Sequence, residues 1–415
     1  MRRIAVVGGG ISGMMAAYAL SPDHEVVLIE RDARLGGHTH TVRVDAPEGP
    51  LAIDTGFIVF NDRNYPRLVA LFQALGIASQ PTDMSFSVSC GRTGFEYSSR
   101  GASGFFADRA NVLRPAHYKL LVEIRRFHRA ARRLLHGPDA DDLLLERWLE
   151  RERFSEAFAS HFLRPMVSAV WSTSLSDIGS FPARMLATFF DNHGMLQMTG
   201  NPRWRVVRGG SARYIDPLTA PYRDRVLLGA TITGIARSER QVTVGLRGRP
   251  PLVFDEVVIA CHGDQVLPLL EDPSDAEREV FSAFRTTRNE TWLHTDEGVL
   301  PRRRAAQAAW NYHLDREGRG ASLTYDMNRL QGLDTAARYC VTLDPVGRVD
   351  ESKVIRRMAY EHPRYTPATL RAQRRWAEVS GRRRTHYCGA YWFNGFHEDG
   401  VRSALRVAES LRGRA

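Results

Sequence analysis

The chain has 415 residues and a hydrophobic fraction of 43%, which is enough for two domains around a large core. It carries 57 basic and 47 acidic residues, for a formal net charge of +10, and four scattered cysteines without a CxxC pair. This composition argues against a disulfide framework and a structural metal site, and no apolar run reaches the ~18–20 residues of a membrane span. We expect no metal, a reducing compartment and, because residue 3 already opens a strand, no signal peptide.

The first thirty residues predict a βαβ unit. Residues 3–7 (RIAVV) indicate a buried parallel strand, residues 14–20 (MMAAYAL) a helix, and residues 25–30 (EVVLIE) a second strand. Between the first strand and the helix lies a GxGxxG frame, whose glycines are Gly8, Gly10 and Gly13. Such a loop lets a pyrophosphate approach the backbone, and the helix start at Ile11 and Ser12 offers N–H groups to it.

The acidic end of the second strand completes this pattern. Glu30 can accept hydrogen bonds from ribose hydroxyls, as a carboxylate at this position does in dinucleotide-binding units. The sequence therefore predicts a dinucleotide site, and the alternative is an ordinary glycine-rich turn between a strand and a helix.

A second glycine pair follows this carboxylate. Residues 30–41 read ERDARLGGHTHT, with a glutamate, an arginine and two adjacent glycines in a short span. This pattern resembles the flavin amine oxidase superfamily, which includes monoamine oxidases, protoporphyrinogen oxidase and phytoene desaturases. The resemblance implies FAD as the cofactor, with contacts from Arg31, Arg34, Gly36, Gly37 and His38. His38 stands where that superfamily usually has a second arginine.

The next predicted elements continue the resemblance. Residues 51–60 (LAIDTGFIVF) predict two strands around a turn, where the superfamily often has a DxGG motif close to the flavin. The cofactor contacts implied here are Thr55, Gly56 and Phe57, and Phe57 replaces the second glycine. Residues 65–76 predict an amphipathic helix closed by a glycine, and residues 84–97 predict a β-hairpin.

A basic helical region covers about residues 105–162. Its leucines and phenylalanines recur at helical spacing on one face, whereas its arginines, among them Arg125, Arg129 and Arg132, lie mostly elsewhere. Such a helix either packs on the core with a solvated arginine face or lies on an anionic lipid surface. Both interpretations stay open at this point.

Aromatic residues that could line a substrate pocket recur in the second half of the chain. Residues 281–375 contain aromatic, strand-like segments that would build an antiparallel sheet over the flavin ring. The pocket residues predicted from these segments and from residues 165–200 are Trp171, Trp310 and Tyr325. Between the two blocks, residues 227–235 are similar to the superfamily segment whose backbone meets the adenine, and Ile232 is the residue predicted there.

The last block, residues 387–411, predicts a strand, a loop and a closing helix that begins near Asp399. In the superfamily this helix directs its N-terminus at the flavin. The resemblance implies cofactor contacts from Gly389, Glu398, Asp399, Gly400 and Val401. A nicotinamide dehydrogenase has no need of this second element, which favours FAD.

The predicted fold class is α/β, with a discontinuous Rossmann-like FAD-binding domain. An inserted α+β substrate domain contains an antiparallel sheet and a helical subdomain. We assign residues 1–83, 201–275 and 378–415 to the FAD-binding domain, and residues 84–200 and 276–377 to the substrate domain. The resemblance that supports this division covers nearly the whole chain.

Finer details of the sequence look closest to one bacterial branch of the superfamily. These details include FPARML, WNYHL and CGAYWFNGFHEDGVRSA. The branch includes the flavin desaturase of furan fatty acid synthesis, and its members are commonly linked with fatty-acid methyltransferases. The resemblance therefore implies a lipid desaturase that transfers hydride from a methyl-branched phospholipid acyl chain to flavin N5 and produces a conjugated diene.

The same resemblance implies a set of partners. They are a lipid acyl-chain substrate, an anionic membrane surface and a fatty-acid methyltransferase, with no nucleic acid and with FAD bound non-covalently. We expect a cytoplasmic protein that is peripheral on the inner membrane. A side-chain base is optional for this chemistry. The candidates are Tyr312, Tyr391 and His397, although His397 could instead brace the flavin loop.

Two other functions stay open. The first is a flavin amine or polyamine oxidase, although many such enzymes keep a lysine near flavin N5. The only lysines here, Lys119 and Lys353, lie outside the flavin motifs. The second is a non-catalytic FAD-binding partner of a lipid methyltransferase, which would keep the cofactor motifs and turn over nothing. A covalent flavin through Cys388 is the alternative to non-covalent binding.

Overall fold

A computed structural model of the chain describes residues 1–137, 142–172, 175–197, 202–315, 320–345 and 347–413. The predicted domain boundary between residues 200 and 201 lies outside these described residues, and the division into two domains stays a prediction. Within the described ranges, every helix is too short or too polar to cross a membrane.

The strands cluster at the beginning of the chain and in its second half. Up to residue 207 they are β1 (Arg3–Val7), β2 (Glu25–Ile29), β3 (Thr41–Ala46), β4 (Gly49–Asp54), β5 (Val59–Asn61), β6 (Ser79–Pro81), β7 (Phe86–Cys90), β8 (Glu96–Ser98) and β9 (Trp204–Val207). The later strands are β10 (Val226–Leu227), β11 (Ile232–Arg237), β12 (Val242–Leu246), β13 (Arg249–Phe254), β14 (Glu256–Ile259), β15 (Thr286–His294), β16 (Trp310–Leu314), β17 (Ala321–Asp326), β18 (Cys340–Leu343), β19 (Val354–Pro363) and β20 (Thr385–Tyr387).

The helices fill the middle of the chain and close its end. In the first half they are α1 (Ile11–Leu20), α2 (Pro66–Ala74), α3 (Gly101–Phe105), α4 (Pro115–His136), α5 (Leu145–Arg151), α6 (Glu156–Phe158), α7 (Arg164–Trp171), α8 (Leu175–Ile178) and α9 (Ala183–Asn192). In the second half they are α10 (Ile215–Thr219), α11 (Val266–Leu269), α12 (Asp275–Phe281), α13 (Met327–Gln331), α14 (Pro367–Arg374), α15 (Trp376–Val379) and α16 (His397–Arg412).

A five-stranded parallel sheet in the order β10-β2-β1-β14-β20 forms the first core. Val6 in β1 lies opposite Leu28 in β2 and Val258 in β14, and all three side chains are fully buried. Such continuous apolar runs are what parallel strands covered on both faces require. The loops after β1, β2 and β14 leave the sheet at the same carboxyl edge, where open α/β sheets bind their ligands. The predicted α/β class is confirmed.

A seven-stranded sheet in the order β19-β15-β18-β17-β16-β7-β8 forms the second core. The four aromatic segments predicted as strands are β15 to β18. One face of the sheet is apolar, and cross-strand neighbours on it include Tyr97, Val88, Tyr312, Leu323 and Leu343. These five residues are buried, and we call them the apolar sheet face.

The helical layer packs against this second core. In α4 the apolar side chains of Leu120, Phe127 and Leu134 are buried, whereas Arg125 and Arg129 are exposed. The helix also packs on α9. Most of the basic helix is therefore a core-packing helix with a solvated arginine face.

Three details differ from the sequence-based expectations. The closing helix α16 begins at His397, two residues before Asp399. The seven-stranded sheet is antiparallel except for one parallel pair, β7 with β16. Strand β19 was not predicted, because it is an edge strand whose residues Arg356 and Arg357 are exposed and interrupt the apolar alternation.

Candidate flavin site

The loop after β1 turns tightly and leaves open space in front of one glycine. Gly8 has a φ of +107°, and a Cβ built at Gly13 would lie 1.8 Å from the Gly8 carbonyl oxygen. Strand and helix therefore pack too closely for a side chain at Gly13. By contrast, a Cβ built at Gly10 meets no heavy atom within 4 Å. The position where a pyrophosphate would approach the backbone is clear of protein atoms.

The N-terminal turns of two helices meet beside this space. A Cβ built at Gly400 in α16 would lie 2.8 Å from Ile11 Cγ2 and 2.9 Å from Ser12 Oγ in α1. Met14 N and Gly400 N each donate to the carbonyl four residues earlier, so the N–H groups that precede them have no partner in their own helix. Two adjacent helix N-termini with available donors favour an anionic ligand.

The Glu30 carboxylate lies directly beside the glycine loop. Its Oε2 accepts a hydrogen bond from Gly9 N at 2.5 Å, and its Oε1 accepts one from Asp32 N at 2.7 Å. The backbone of Glu30 also pairs with the segment after β10, since Ala230 N donates to Glu30 O at 2.9 Å. The carboxylate is thus held at the loop, and each oxygen keeps a lone pair for a ribose hydroxyl.

Three other residues predicted to contact the cofactor lie in different environments. Arg31 is exposed. The Arg34 guanidinium donates to Gly37 O at 2.8 Å and to Thr39 O at 3.1 Å, and so it braces the second glycine pair from within the chain. Ile232 opens β11, two residues beyond the segment that contacts Glu30.

The second glycine pair lies against the first glycine loop. Gly36 N donates to Gly9 O at 2.8 Å, and a Cβ built at Gly37 would lie 3.2 Å from Gly10 Cα. Gly36 has a φ of +113° and Gly37 a φ of +56°, which side chains rarely adopt. The two glycine motifs therefore form one continuous wall of the site.

The turn after β4 is joined to the segment that follows this glycine pair. Phe57 N donates to His38 O at 2.7 Å, and Thr55 N donates to His40 O at 2.9 Å. A Cβ built at Gly56 would lie 2.1 Å from His38 O, so only glycine fits between these two backbones. The structure thus brings the predicted residues Thr55, Gly56 and Phe57 to the glycine wall.

Asp54 fixes this turn to the 3-10 turn that follows β9. Its buried carboxylate accepts hydrogen bonds from Thr41 Oγ1 at 2.6 Å and from Ser211 N at 2.8 Å. Burial raises the pKa of Asp54 to about 6, against the hydrogen bonds that favour its charged form. The arrangement holds three separate chain segments at one place.

His397 at the start of α16 is fixed by two contacts. Its ring stacks on Phe57 with centroids 3.7 Å apart, and its Nε2 lies 2.9 Å from Thr39 Oγ1. Burial lowers the pKa of His397 to about 3, so the ring is neutral. This geometry favours the bracing role over that of a base.

Three aromatic rings surround His38. The ring centroids of His262, His362 and Tyr360 lie 5.8, 5.2 and 5.4 Å from that of His38. Burial lowers the pKa of His38 well below its ordinary value and that of His362 to about 4. His38 Nε2 is buried without a hydrogen-bond partner among the described residues. A neutral ring nitrogen of this kind is a group that a bound ligand can satisfy.

Tyr360 joins the seven-stranded sheet to the site. Its hydroxyl lies 2.7 Å from Thr55 Oγ1 and 2.9 Å from His40 Nδ1. Sequence reasoning missed Tyr360, His362 and His262 as site residues. The period-2 spacing of Tyr360 and His362 before a proline is the signal that could have found the first two.

The acidic side chains at the start of α16 bind the protein itself. The Glu398 carboxylate accepts hydrogen bonds from Arg67 N at 3.0 Å and Leu68 N at 2.9 Å, and so it caps α2. Asp399 accepts one from Phe396 N at 3.0 Å, and burial raises its pKa to about 7. A contact of either residue with a cofactor would therefore come from its backbone N–H and not from its carboxylate.

Gly389 and Val401 lie behind the first turn of α16. Gly389 N donates to Ser403 Oγ at 2.9 Å, and a Cβ built at Gly389 would lie 2.2 Å from Tyr391 Cε1. Val401 is buried. These residues support the closing helix from the side of the parallel sheet.

The two tyrosines predicted as bases lie in different cores. Tyr391 packs on Phe284 with centroids 4.7 Å apart in the core of the parallel sheet. Tyr312 is buried on the apolar sheet face in the second core. Contacts among the described residues do not join either tyrosine to His397. Whether any of the three acts as a base stays a prediction.

The predicted pocket residues form two groups. Trp310 and Tyr325 lie opposite each other in the seven-stranded sheet, with ring centroids 5.1 Å apart. Trp171 lies in the helical layer on Phe189, and its Nε1 donates to Asn394 O at 3.2 Å, in the loop before α16. Trp171 thus contacts the loop that leads into α16, whereas Trp310 and Tyr325 pack on each other in the sheet. That the three residues line one pocket stays a prediction.

A dinucleotide fits this arrangement. The clear space at Gly10 and the two helix N-termini suit a pyrophosphate, while the carboxylate of Glu30 suits a ribose. The buried His38 Nε2 has no hydrogen-bond partner among the described residues, and a bound cofactor could supply one. FAD bound here would be held by the glycine wall and by the start of α16.

Solved structures share this fold over their whole length. Cyclohexylamine oxidase from Brevibacterium oxydans IH-35A superposes with a TM-score of 0.70 at 16% identity, and the match covers 99% of each chain. A CLA-producing fatty acid isomerase from P. acnes superposes with a TM-score of 0.70 at 14% identity, covering 99% of this chain and 98% of its own. At these identities the likeness shows the fold alone.

Sequence similarity identifies the family. A stretch of 45 residues is 47% identical to an L-amino acid oxidase of Cerastes cerastes, which is 11% of this chain and only 9% of that protein. The family model for flavin containing amine oxidoreductases matches residues 11–412. Because that model covers nearly the whole chain, the protein belongs to the flavin containing amine oxidoreductase family and is an FAD-dependent oxidoreductase.

Proposed function

We propose that this protein holds FAD non-covalently and dehydrogenates a lipid acyl chain. The proposed substrate is a methyl-branched phospholipid chain that already holds one double bond. Loss of a hydride to the flavin and of a neighbouring proton adds a second double bond, which gives a conjugated diene. The observation that carries this proposal is the apolar sheet face, whose sheet is joined through Tyr360 to the turn at residues 54–57, which we call the flavin loop. A protein of the same fold is named a fatty acid isomerase, which also favours an acyl substrate.

The apolar sheet face lies beneath the helical layer, and its side chains would supply an apolar lining for a hydrocarbon chain held between the two layers. Its residues come from five successive strands, β8, β7, β16, β17 and β18, and each is less than 9% exposed. At the far edge of the same sheet, Tyr360 makes its hydrogen bond with Thr55 in the flavin loop. An acyl chain held along this face would therefore lead towards the flavin ring.

The chemistry requires little from the side chains. FAD, when bound, supplies the hydride acceptor. The residues of the chain would orient the acyl chain, exclude water and keep the site uncharged. The neutral rings of His38, His362 and His397 fit this task, because an apolar substrate gains nothing from a charged wall.

Amine oxidation is less well supported by the positions of the lysines. Lys353 Nζ lies 3.1 Å from Asp296 Oδ1 beside β19, and Lys119 is exposed on α4. Among the described residues, neither lysine contacts the flavin loop. The lysine that many amine oxidases keep near flavin N5 therefore has no counterpart in the described site.

Anaerobic bleaching of the yellow flavin tests the proposal. The holoprotein is mixed without oxygen with a detergent-dispersed phospholipid that carries a methyl-branched, monounsaturated acyl chain. We expect bleaching together with a conjugated diene in the extracted lipid. An unbranched saturated phospholipid serves as the control and should leave the flavin oxidised.

Other outcomes would redirect the assignment. Bleaching by putrescine, with none by the branched lipid, would overturn the desaturase proposal in favour of an amine oxidase. Bleaching by neither would support a non-catalytic FAD-binding partner of a lipid methyltransferase.

We also infer that a methyltransferase supplies the substrate. A methyl branch beside an acyl double bond is the product of methyl transfer to an unsaturated chain. Lipid analysis of a host that expresses this protein with and without a fatty-acid methyltransferase tests the link. The conjugated diene should accumulate only when both proteins are present, and its formation without the methyltransferase would contradict the inference.

A further inference from the structure

We propose that the protein docks on an anionic lipid bilayer through residues 109–122, which we call the docking tip. Exposed large apolar side chains are concentrated there. Val112, Leu113, Tyr118 and Val122 are 49%, 86%, 45% and 62% exposed. Elsewhere among the described residues, such side chains are far apart in sequence: Met1, Leu228, Val253 and Ile355. Single exposed apolar residues are ordinary, whereas a cluster of four indicates a binding surface.

The docking tip is a defined structure and not a loose loop. A 3-10 turn at Arg109–Leu113 leads into α4, which begins at Pro115. Tyr118 and Val122 lie one helical turn apart on the same side of α4. The Tyr118 hydroxyl donates to Val112 O at 2.9 Å, so the turn and the helix are tied together. The four apolar side chains therefore belong to one patch.

Two phenylalanine rings pack against the buried side of the docking tip. The ring of Phe106 lies 5.6 Å from that of Tyr118, and the ring of Phe105 lies 4.1 Å from that of His117. Phe105 in turn lies 5.5 Å from Tyr97, which belongs to the apolar sheet face. The tip is thus connected through packed rings to the sheet that we propose for the acyl chain.

The charge around the tip selects an anionic partner. Residues 109–136 contain eight basic residues: Arg109, Arg114, Lys119, Arg125, Arg126, Arg129, Arg132 and Arg133. The single acidic residue of this stretch, Glu123, is buried and accepts a hydrogen bond from Ser155 Oγ at 2.5 Å. The surface around the four apolar side chains is therefore positive, without an exposed carboxylate from this stretch.

A bilayer fits both properties of the tip. Anionic headgroups attract the basic side chains, and the acyl boundary accepts the apolar ones. A nucleic acid would use the charges but would leave Leu113 in water. A second copy of the chain would bring two positive surfaces together, which like charges oppose.

The bilayer contact is limited to the start of α4. Farther along the helix, Arg132 donates to Leu196 O at 2.6 Å and Arg126 donates to Arg153 O at 2.6 Å. These arginines hold the helical layer together. The interpretation of the whole basic helix as a lipid-bound element is therefore replaced by a contact through the tip.

Vesicle flotation of the full-length holoprotein tests this proposal without any turnover, so its failure is distinguishable from failure of the desaturase proposal. The vesicles are phosphatidylcholine with or without phosphatidylglycerol. We expect binding only to the anionic vesicles. The double variant Leu113→Ser/Val122→Ser should bind about tenfold more weakly, because it removes two side chains that would be buried in the bilayer. The matched control Val253→Ser/Ile355→Ser should bind like the wild type.

The charge contribution is tested by a second matched pair. In Arg109→Gln/Lys119→Gln/Arg125→Gln, binding should weaken by about fivefold for each charge removed, and its salt dependence should become less steep. Arg240→Gln/Arg247→Gln/Arg249→Gln removes three exposed charges from another sheet and should change binding little.

Three results would overturn the proposal. The first is equal binding of the wild type to neutral and anionic vesicles, or to neither. The second is loss of binding in the charge variant with full retention in Leu113→Ser/Val122→Ser, which would assign the surface to a soluble polyanion. The third is a change of oligomeric mass in Leu113→Ser/Val122→Ser without a change in vesicle binding, which would assign the patch to a contact between copies.

Discussion

Gly400 of the closing helix packs directly against Ser12 of the first helix, since a Cβ at position 400 would lie 2.9 Å from the Ser12 hydroxyl. This contact brings the two ends of the chain to one site. It also sets the N-terminal turns of α1 and α16 side by side, so that their unpaired N–H groups can act on the same ligand. The cofactor is therefore expected to depend on both ends of the chain.

Gly10→Val should abolish FAD retention while leaving the fold intact. A Cβ at Gly10 meets no heavy atom within 4 Å, so the side chain would point into the space where the pyrophosphate approaches. Flavin absorbance per protein and the thermal midpoint of the apoprotein measure the two effects. Gly137→Ala, where the built Cβ makes only ordinary contacts at 3.5 Å, is the control and should keep both.

A valine at Gly13, unlike one at Gly10, should disrupt the fold. Gly13→Val would place a Cβ 1.8 Å from the Gly8 carbonyl oxygen, so it should prevent folding and not only cofactor binding. Normal flavin content in Gly10→Val, or a stable Gly13→Val protein, would contradict the geometry described for the loop.

His397→Phe should weaken FAD binding without changing how turnover depends on pH. The variant keeps an aromatic ring to stack on Phe57 but loses the hydrogen bond to Thr39. Since burial already lowers the pKa of His397 to about 3, the residue carries no charge change between pH 5 and 9. Flavin titration of the apoprotein and the pH profile of anaerobic flavin reduction check the two statements. Loss of an inflection in that profile would show that His397 is a base.

Local patterns made the glycine motifs predictable. The turn at Gly8, the pyrophosphate position at Gly10 and the carboxylate of Glu30 all belong to one βαβ unit, so their spacing in sequence fixes their spacing in space. The glycine pair was also predictable, because Gly36 follows closely after Glu30 in the sequence and its N–H binds the first glycine loop.

Long-range contacts could not be predicted in this way. The stacking of Phe57 on His397 joins two segments at opposite ends of the chain, and neither local sequence specifies it. Tyr360 and His362 were missed because β19 is an edge strand whose exposed arginines hide its period-2 pattern. The family resemblance implied a cofactor contact from Glu398, but the local sequence could not show that its carboxylate caps the neighbouring helix α2.

The flavin should be released intact by acid, because Cys388 is unsuited to a covalent bond. Its thiol is buried beside the Ser12 carbonyl at 3.9 Å, and burial raises its pKa, which disfavours the thiolate. Denatured wild-type protein should therefore release all its FAD into the soluble fraction, and Cys388→Ala should do the same. Flavin that stays with the wild-type precipitate but leaves the Cys388→Ala precipitate would contradict this.

Asp399→Asn should stabilise the protein more at pH 8 than at pH 5. Burial raises the folded-state pKa of Asp399 from 3.8 to about 7, so the folded protein binds a proton more tightly than the unfolded chain does. Wild-type stability therefore falls as pH rises from about 4 to about 7, by an amount on the order of 2–4 kcal/mol. The variant lacks this loss and keeps an oxygen for Phe396 N. Urea unfolding at both pH values measures it, and an equal difference at the two would refute the assignment.

Arg237→Met should destabilise the parallel-sheet core by about 3–5 kcal/mol, because it leaves a buried carboxylate without its partner. The Arg237 side chain is fully buried, and its Nη1 lies 2.6 Å from Glu277 Oε1. Glu277 also binds the Tyr387 hydroxyl, so this ion pair ties β11 and α12 to β20. The exposed Arg240→Gln is the control and should change the free energy of unfolding by less than about 0.5 kcal/mol. Arg237→Met/Glu277→Leu should recover part of the lost free energy of unfolding, since it also removes the unpaired carboxylate. A double variant less stable than Arg237→Met would contradict this explanation.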